Sequence, residues 1–191
     1  KNVQMWLTLG VGAIGFGGMF SVYSYVSPIL TEYTGANIEV VPVALAIWGA
    51  GMVISGLVAG WLADRYLNKT IVGILVSSAL AFVLASFMLS DLYTAFLALF
   101  LIGLTVMGLG GTLQTRLMDV AGEAQAVAAS LNHSAFNLAN ALGAFLGGWV
   151  LSHGMGWLAP VWVGFVLSLG GLIILLFAFA VEKKQKLLQT S

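Results

Sequence analysis

Four polar side chains, Ser130, His133, Asn137 and Asn140, recur at i, i+3, i+7 and i+10 inside an apolar run, a spacing that stacks them on one helical face. Amide side chains carry both donors and acceptors, so Asn137 and Asn140 suit an uncharged polar solute better than an ion. Imidazole is the side chain that ordinarily changes charge near neutral pH, which lets His133 sense or relay a proton. Hydrogen bonding between helices, worth roughly 0.6 kcal/mol per contact, is the plainer use of such residues. Four on one face exceed what packing requires, and the pattern favours binding. Tyr23 shares one side of an earlier helix with Phe16, Phe20 and Ser27 and would add an aromatic wall with a hydroxyl handle. Thr105, Gly108, Thr112 and Thr115 form a further stripe, for which core packing is an equally good account of any single member.

Covalent and metal chemistry find no comparable support. The chain has no cysteine, its two histidines lie in different regions, and no carboxylate accompanies either one inside an apolar run. The pair His133-x-x-x-Asn137 invites comparison with intramembrane serine proteases, but those need a Gly-x-Ser-Gly segment that does not occur here. The Asn-Pro step that a water channel requires is missing as well. Gly10-x-Gly12-x-x-Gly15 imitates a dinucleotide fingerprint, yet it lies within an apolar run with no strand before it, and helix packing is the better reading. We expect neither enzymatic activity nor a cofactor. A net charge of zero offers no field to attract nucleic acid.

The elements that position these residues must be membrane helices. Hydrophobic residues make up 60% of the chain and charged ones only 7%, against about 25% in a soluble domain. Six apolar stretches, at about 6–30, 41–62, 70–89, 92–115, 124–151 and 157–181, match the roughly 20 residues needed to cross a bilayer. The expected fold is therefore an all-α membrane protein with six transmembrane helices. Pro42 and Pro160 stand near helix starts, where a missing N–H costs little. Pro28 stands near a helix end, with Ser24 and Ser27 at hand to satisfy freed carbonyls. The chain begins at Lys1 rather than Met, which suggests a fragment. With six spans all seven basic residues fall on one side, so both termini are expected in the cytoplasm.

Three of the fourteen charges fall in one decapeptide, Gly60-Trp-Leu-Ala-Asp64-Arg65-Tyr-Leu-Asn68-Lys69, which reads as a tight turn between the second and third spans. Asp64 would face the negative pole of its own helix and needs compensation from another helix start or a basic side chain. This Gly-x-x-x-Asp-Arg-x-x-x-Lys pattern resembles the cytoplasmic signature of the major facilitator superfamily of secondary transporters. Leu67 and Thr70 replace the usual glycine and second basic residue, as in the second, C-terminal copy of that signature. The run Asn132-His133-Ser-Ala-Phe136-Asn137, leading into Gly143 and Gly147-Gly148, resembles the arabinose-export-like branch of drug/proton antiporters.

An internal repeat agrees with this resemblance. Helices one, two, four and five hold most of the glycines and polar residues, whereas three and six are bland. Three spans per unit imply a 3+3 inverted repeat, the build of one half of a major facilitator fold. Residues 1–191 then form a single C-terminal half, and an N-terminal six-helix half is the expected partner besides the lipid bilayer. The resemblance implies alternating access in a bacterial inner membrane, with efflux of a small organic solute such as a drug, sugar or nucleoside against protons. A facilitator without proton coupling, or a six-span channel or scaffold subunit that oligomerises, is the alternative. It implies substrate contact by Tyr23, Thr105, Asn137 and Asn140 and proton coupling by His133. A conformational switch would comprise Gly60, Asp64, Arg65, Lys69, Arg116 and Asp119, with Arg65 and Arg116 balancing Asp64 and Asp119. The ridges Gly56-x-x-x-Gly60 and Gly143-x-x-x-Gly147 fit close packing, either inside this bundle or against the second half.

Overall fold

The structure is a computed structural model that describes residues 2–189, and every regular element among them is helical. This follows from the composition: within hydrocarbon, a chain must satisfy its backbone polar groups internally, and a helix does so segment by segment. Among the described residues five helices are long and apolar enough to cross a membrane. Lys1 and the Lys186 side chain, two of the seven basic groups expected on one side, lie outside what is described.

The first span is broken where one helix over 6–30 was expected. It comprises α1 (Val3–Gly15), α2 (Gly17–Tyr23), α3 (Val26–Pro28) and a π-helical turn over Ile29–Tyr33. The bend at Tyr25 (φ −121°, ψ 13°) has a local cause. Pro28 lacks an N–H, and its ring clashes with the carbonyl four residues back, at Ser24.

The expected turn between the second and third spans is shorter than the sequence suggests. Helix α4 runs from Val41 to Met88, 48 residues, and only Tyr66 (φ −142°, ψ 51°) leaves helical backbone. A straight helix of that length would be about 72 Å long. Thr34, however, donates its hydroxyl to the Leu89 carbonyl at 2.7 Å. Thr34 is also just seven residues from Val41, a reach of at most about 25 Å. Both ends of α4 therefore lie near Thr34, and the helix folds back at Tyr66 into two arms.

Asp91 caps α5 (Leu92–Val106) by accepting from the Tyr93 and Thr94 N–H groups. The expected continuous helix over 92–115 is interrupted at Met107, and α6 (Gly108–Ala121) carries it six residues further. A side chain inserted into the backbone ladder explains the break: the Gly108 N–H donates to Ser55 Oγ at 2.9 Å. The last two helices are α7 (Gln125–Ser152) and α8 (Ala159–Gln189), the latter with Pro160 in its first turn.

Small residues set the helix separations. On the first arm of α4, a Cβ on Gly51 would strike the α5 backbone at Phe100 and Gly103, and one on Gly108 would strike Ala59 and Ser55. The second arm buries Leu75, Ser78 and Phe82 against α1, α2 and α8, with Phe82 lying against Gly18 and Gly164. Ser78 and Ser168 hydroxyls meet at 3.1 Å. The two small-residue ridges part company. Gly143 and Gly147 are filled by Gly17, Phe20, Ser21 and Tyr25 of the first span, so that ridge packs inside the bundle. Gly56 and Gly60 have nothing within 4 Å of a Cβ position, and that ridge is open.

Candidate functional site

Helix α7 buries Ala128, Asn132, Ala135, Ala139, Gly143 and Gly147 along one stripe. At about 100° per residue, Ser130, His133, Asn137 and Asn140 fall on the opposite side, and all four are exposed. Asn137 and Asn140 stand 12 and 15 positions into a 28-residue helix, near its middle. Among the described residues nothing hydrogen-bonds the side chains of His133, Asn137 or Asn140. Interhelical bonding within this bundle is therefore not their use. That task falls to buried Asn132, whose amide donates to Gln114 Oε1. Two amides and an imidazole at mid-span, with donors and acceptors unspent, can bind a polar solute that arrives from outside the bundle.

The other expected contacts are not gathered at this face. Tyr23, at the end of α2, is 46% exposed and meets Trp48 edge to face, with ring centroids 5.6 Å apart. Phe16 lies closer to α7, its ring 4.7 Å from Phe136. Thr105 donates its hydroxyl to the Ile102 carbonyl at 3.0 Å. It lines a groove of about 660 Å³ between the arms of α4, whose walls include none of Tyr23, Asn137 or Asn140.

The residues expected to form a switch divide into a buried hub and an exposed rim. Arg116 on α6 is 3% exposed. Its Nη1 donates to Asn68 Oδ1 at 2.5 Å, and its Nη2 donates to Glu182 Oε2 at 3.3 Å and to Gln4 Oε1 at 3.4 Å. The guanidinium also lies 4.9 Å over the Phe179 ring, and its Nε has no partner. Gln4 in turn donates to the Ala178 carbonyl at 2.9 Å. One cation thus ties together α1, the fold of α4, α6 and α8. The expected pairing of Arg65 and Arg116 with Asp64 and Asp119 is corrected. Arg116 pairs with Glu182, and Arg65 lies 4.5 Å over the Trp61 ring. Gly60, Asp64, Arg65, Lys69 and Asp119 are all exposed. Lys69 stands 5.4 Å over the Tyr66 ring.

Sequence reasoning missed Gln4 and Glu182. Depth was the available signal for Glu182: Arg116 comes 24 positions after Leu92, and Glu182 comes 23 after Ala159. Two chains that cross in the same direction place such residues at one level.

Known proteins locate this architecture. A solved structure described as the POT family transporter PepTSo superposes with a TM-score of 0.81 at 16% identity, covering 94% of this chain and 38% of that one. The "Inner membrane transport protein YdhP" of Escherichia coli is 36% identical over 176 residues, 92% of this chain and 45% of the relative. The "Chloramphenicol resistance protein" of Streptomyces lividans is 30% identical over 91% of this chain and 44% of its own length. A "Probable sugar efflux transporter" of Pasteurella multocida is 28% identical over 70% of this chain and 33% of that protein. The chain spans about half the length of the curated relatives that it matches over nearly its whole length. The model of the Major Facilitator Superfamily matches residues 5–191. This chain is a membrane protein of the Major Facilitator Superfamily.

Proposed function

We propose that this chain is the C-terminal six-span half of a secondary transporter that exports a small organic solute by alternating access. The two arms of α4, counted separately, bring the crossings to six, in keeping with a 3+3 inverted repeat. Half-length coverage of the relatives supports a second six-helix half as partner. Relatives named for chloramphenicol resistance and sugar efflux support export of a drug-like or sugar-like solute. The observation that carries the reading is the exposed polar face of α7, free of partners at mid-span.

In the mechanism, solute enters between the halves and is held by Asn137 and Asn140, with Tyr23 as an aromatic flank. His133, one turn nearer the cytoplasm, exchanges a proton as the halves rock. Closing the cytoplasmic side brings the Gly60–Lys69 rim against the partner half, where Asp64 caps a helix start.

The test is solute retention in cells producing the intact protein, across a panel of antibiotics, sugars and nucleosides, with and without a protonophore. Lowered accumulation of one class, restored by the protonophore, is the expected result. Lowered accumulation that ignores the protonophore would establish the uncoupled facilitator, and no effect on any class would remove the export reading.

A further inference from the structure

The groove between the two arms of α4 has walls of hydrocarbon character and one charged end. Ile54, Val58 and Leu62 line it from the first arm, Gly73 and Ile74 from the second, and Leu104 from α5. Its serine and threonine hydroxyls each already take part in a hydrogen bond. Thr70 donates to the Tyr66 carbonyl at 2.9 Å, Ser77 to Ile74 at 3.0 Å and Thr105 to Ile102 at 3.0 Å. Ser55 Oγ accepts from the Gly108 N–H. An apolar occupant leaves the Thr70, Ser77 and Thr105 donors met, and a polar one finds few groups to bond along the walls.

The charged end is the fold of the helix. Lys69 lines the groove beside Tyr66 and forms no ion pair among the described residues. Arg65 is exposed nearby on the Trp61 ring, and the carboxylate of Glu182 is held by Arg116. From Ile54 to Tyr66 the wall rises about 18 Å. That is close to one leaflet of a hydrocarbon core of about 30 Å. The open Gly56–Gly60 ridge lies on a different face of the same arm, so the groove does not compete with it.

We infer that this groove binds the acyl chain of an anionic phospholipid, with the phosphate headgroup set against Lys69. The occupant's length matches one leaflet, its tail matches the walls, and its charge matches the unpaired ammonium.

The test is native mass spectrometry of the intact protein in mild detergent, with phosphatidylglycerol or phosphatidylcholine of identical chains. Phosphatidylglycerol should be retained about fivefold more, the worth of one basic residue near a headgroup. Lys69→Gln should abolish that preference. Gly73→Leu should abolish retention of both lipids, because a Cβ at Gly73 meets nothing within 4 Å and the added side chain enters the groove without disturbing the helix. Equal retention of the two lipids, or a preference that survives Lys69→Gln, overturns the anionic assignment. Unchanged retention in Gly73→Leu overturns the site itself.

Discussion

Arg116 and Glu182 meet at 3.3 Å between the ends of α6 and α8, with the arginine side chain 4% exposed and the glutamate side chain 29%. Removing one member of a buried pair costs about 3–5 kcal/mol, because the other charge is stranded. Arg116→Met takes an ion-pair partner from Glu182 and a donor from Asn68 and Gln4, and the 29% exposure of Glu182 places its cost toward the lower figure. Thermal unfolding in detergent should show a larger loss for Arg116→Met than for Glu182→Gln. Arg116→Lys should recover only part, since an ammonium cannot reproduce the fork. An Arg116→Met protein as stable as the parent would contradict the hub.

The two glycine ridges should answer differently to the same change. Gly143→Ala presses a methyl group into Gly17 and Phe20 and should destabilise by about 1–3 kcal/mol. Gly60→Ala meets nothing among the described residues and should raise stability slightly, by about 0.5–1 kcal/mol, because alanine suits a helix interior better than glycine. If the open ridge slides against a second half, Gly60→Ala nevertheless slows solute export. Normal export would show that no partner approaches there.

On α7, Asn137→Ala and Asn140→Ala should change which solutes the intact protein exports while leaving its stability intact, because neither side chain bonds among the described residues. His133→Gln keeps the capacity to hydrogen-bond and removes the ionisable ring. Export by that variant should lose its dependence on pH. A profile matching the parent would reduce His133 to a bystander.

Asp64→Asn tests the rim. The side chain is exposed, so stability should hold. Export should slow with solute affinity nearly unchanged, since the carboxylate is proposed to latch a closed state rather than touch cargo. A variant that fails to bind solute would place Asp64 in the binding site instead.

Orientation is accessible because the chain contains no cysteine. Gly35 and Gly154 form bends with φ of 72°, a conformation costly for other residues, so Asn37 and Met155 are better sites for a reporter. Cysteine at either should react with an impermeant thiol reagent from outside, and cysteine at Asp64 or Gln125 only from inside. Reaction at position 64 from outside would invert the topology.

The all-helical, membrane-length character was legible because bilayer thickness dictates the length of an apolar run, and Pro42, Pro160 and Asp91 mark helix starts by simple chemistry. The face holding His133, Asn137 and Asn140 was legible because helical period alone fixes it. What escaped the sequence depends on partners far along the chain. The break at Met107 comes from Ser55, which stands 53 positions before the Gly108 it bonds, and nothing local announces it. The charges of the decapeptide marked a turn but concealed its brevity, because no glycine or proline separates Asp64 from Thr70. Thr105 sat on the expected stripe, yet the fold of α4 carried its environment into a lipid-like groove.

The brevity at Tyr66 has a consequence for how the molecule is handled. A protease needs several residues of extended backbone to close its cleft on a substrate. The fold of α4 offers one non-helical residue between Val41 and Met88. Limited proteolysis should therefore spare this turn, although it carries three charges within ten residues, and the two arms should travel through purification, and through any motion of the protein, as one piece.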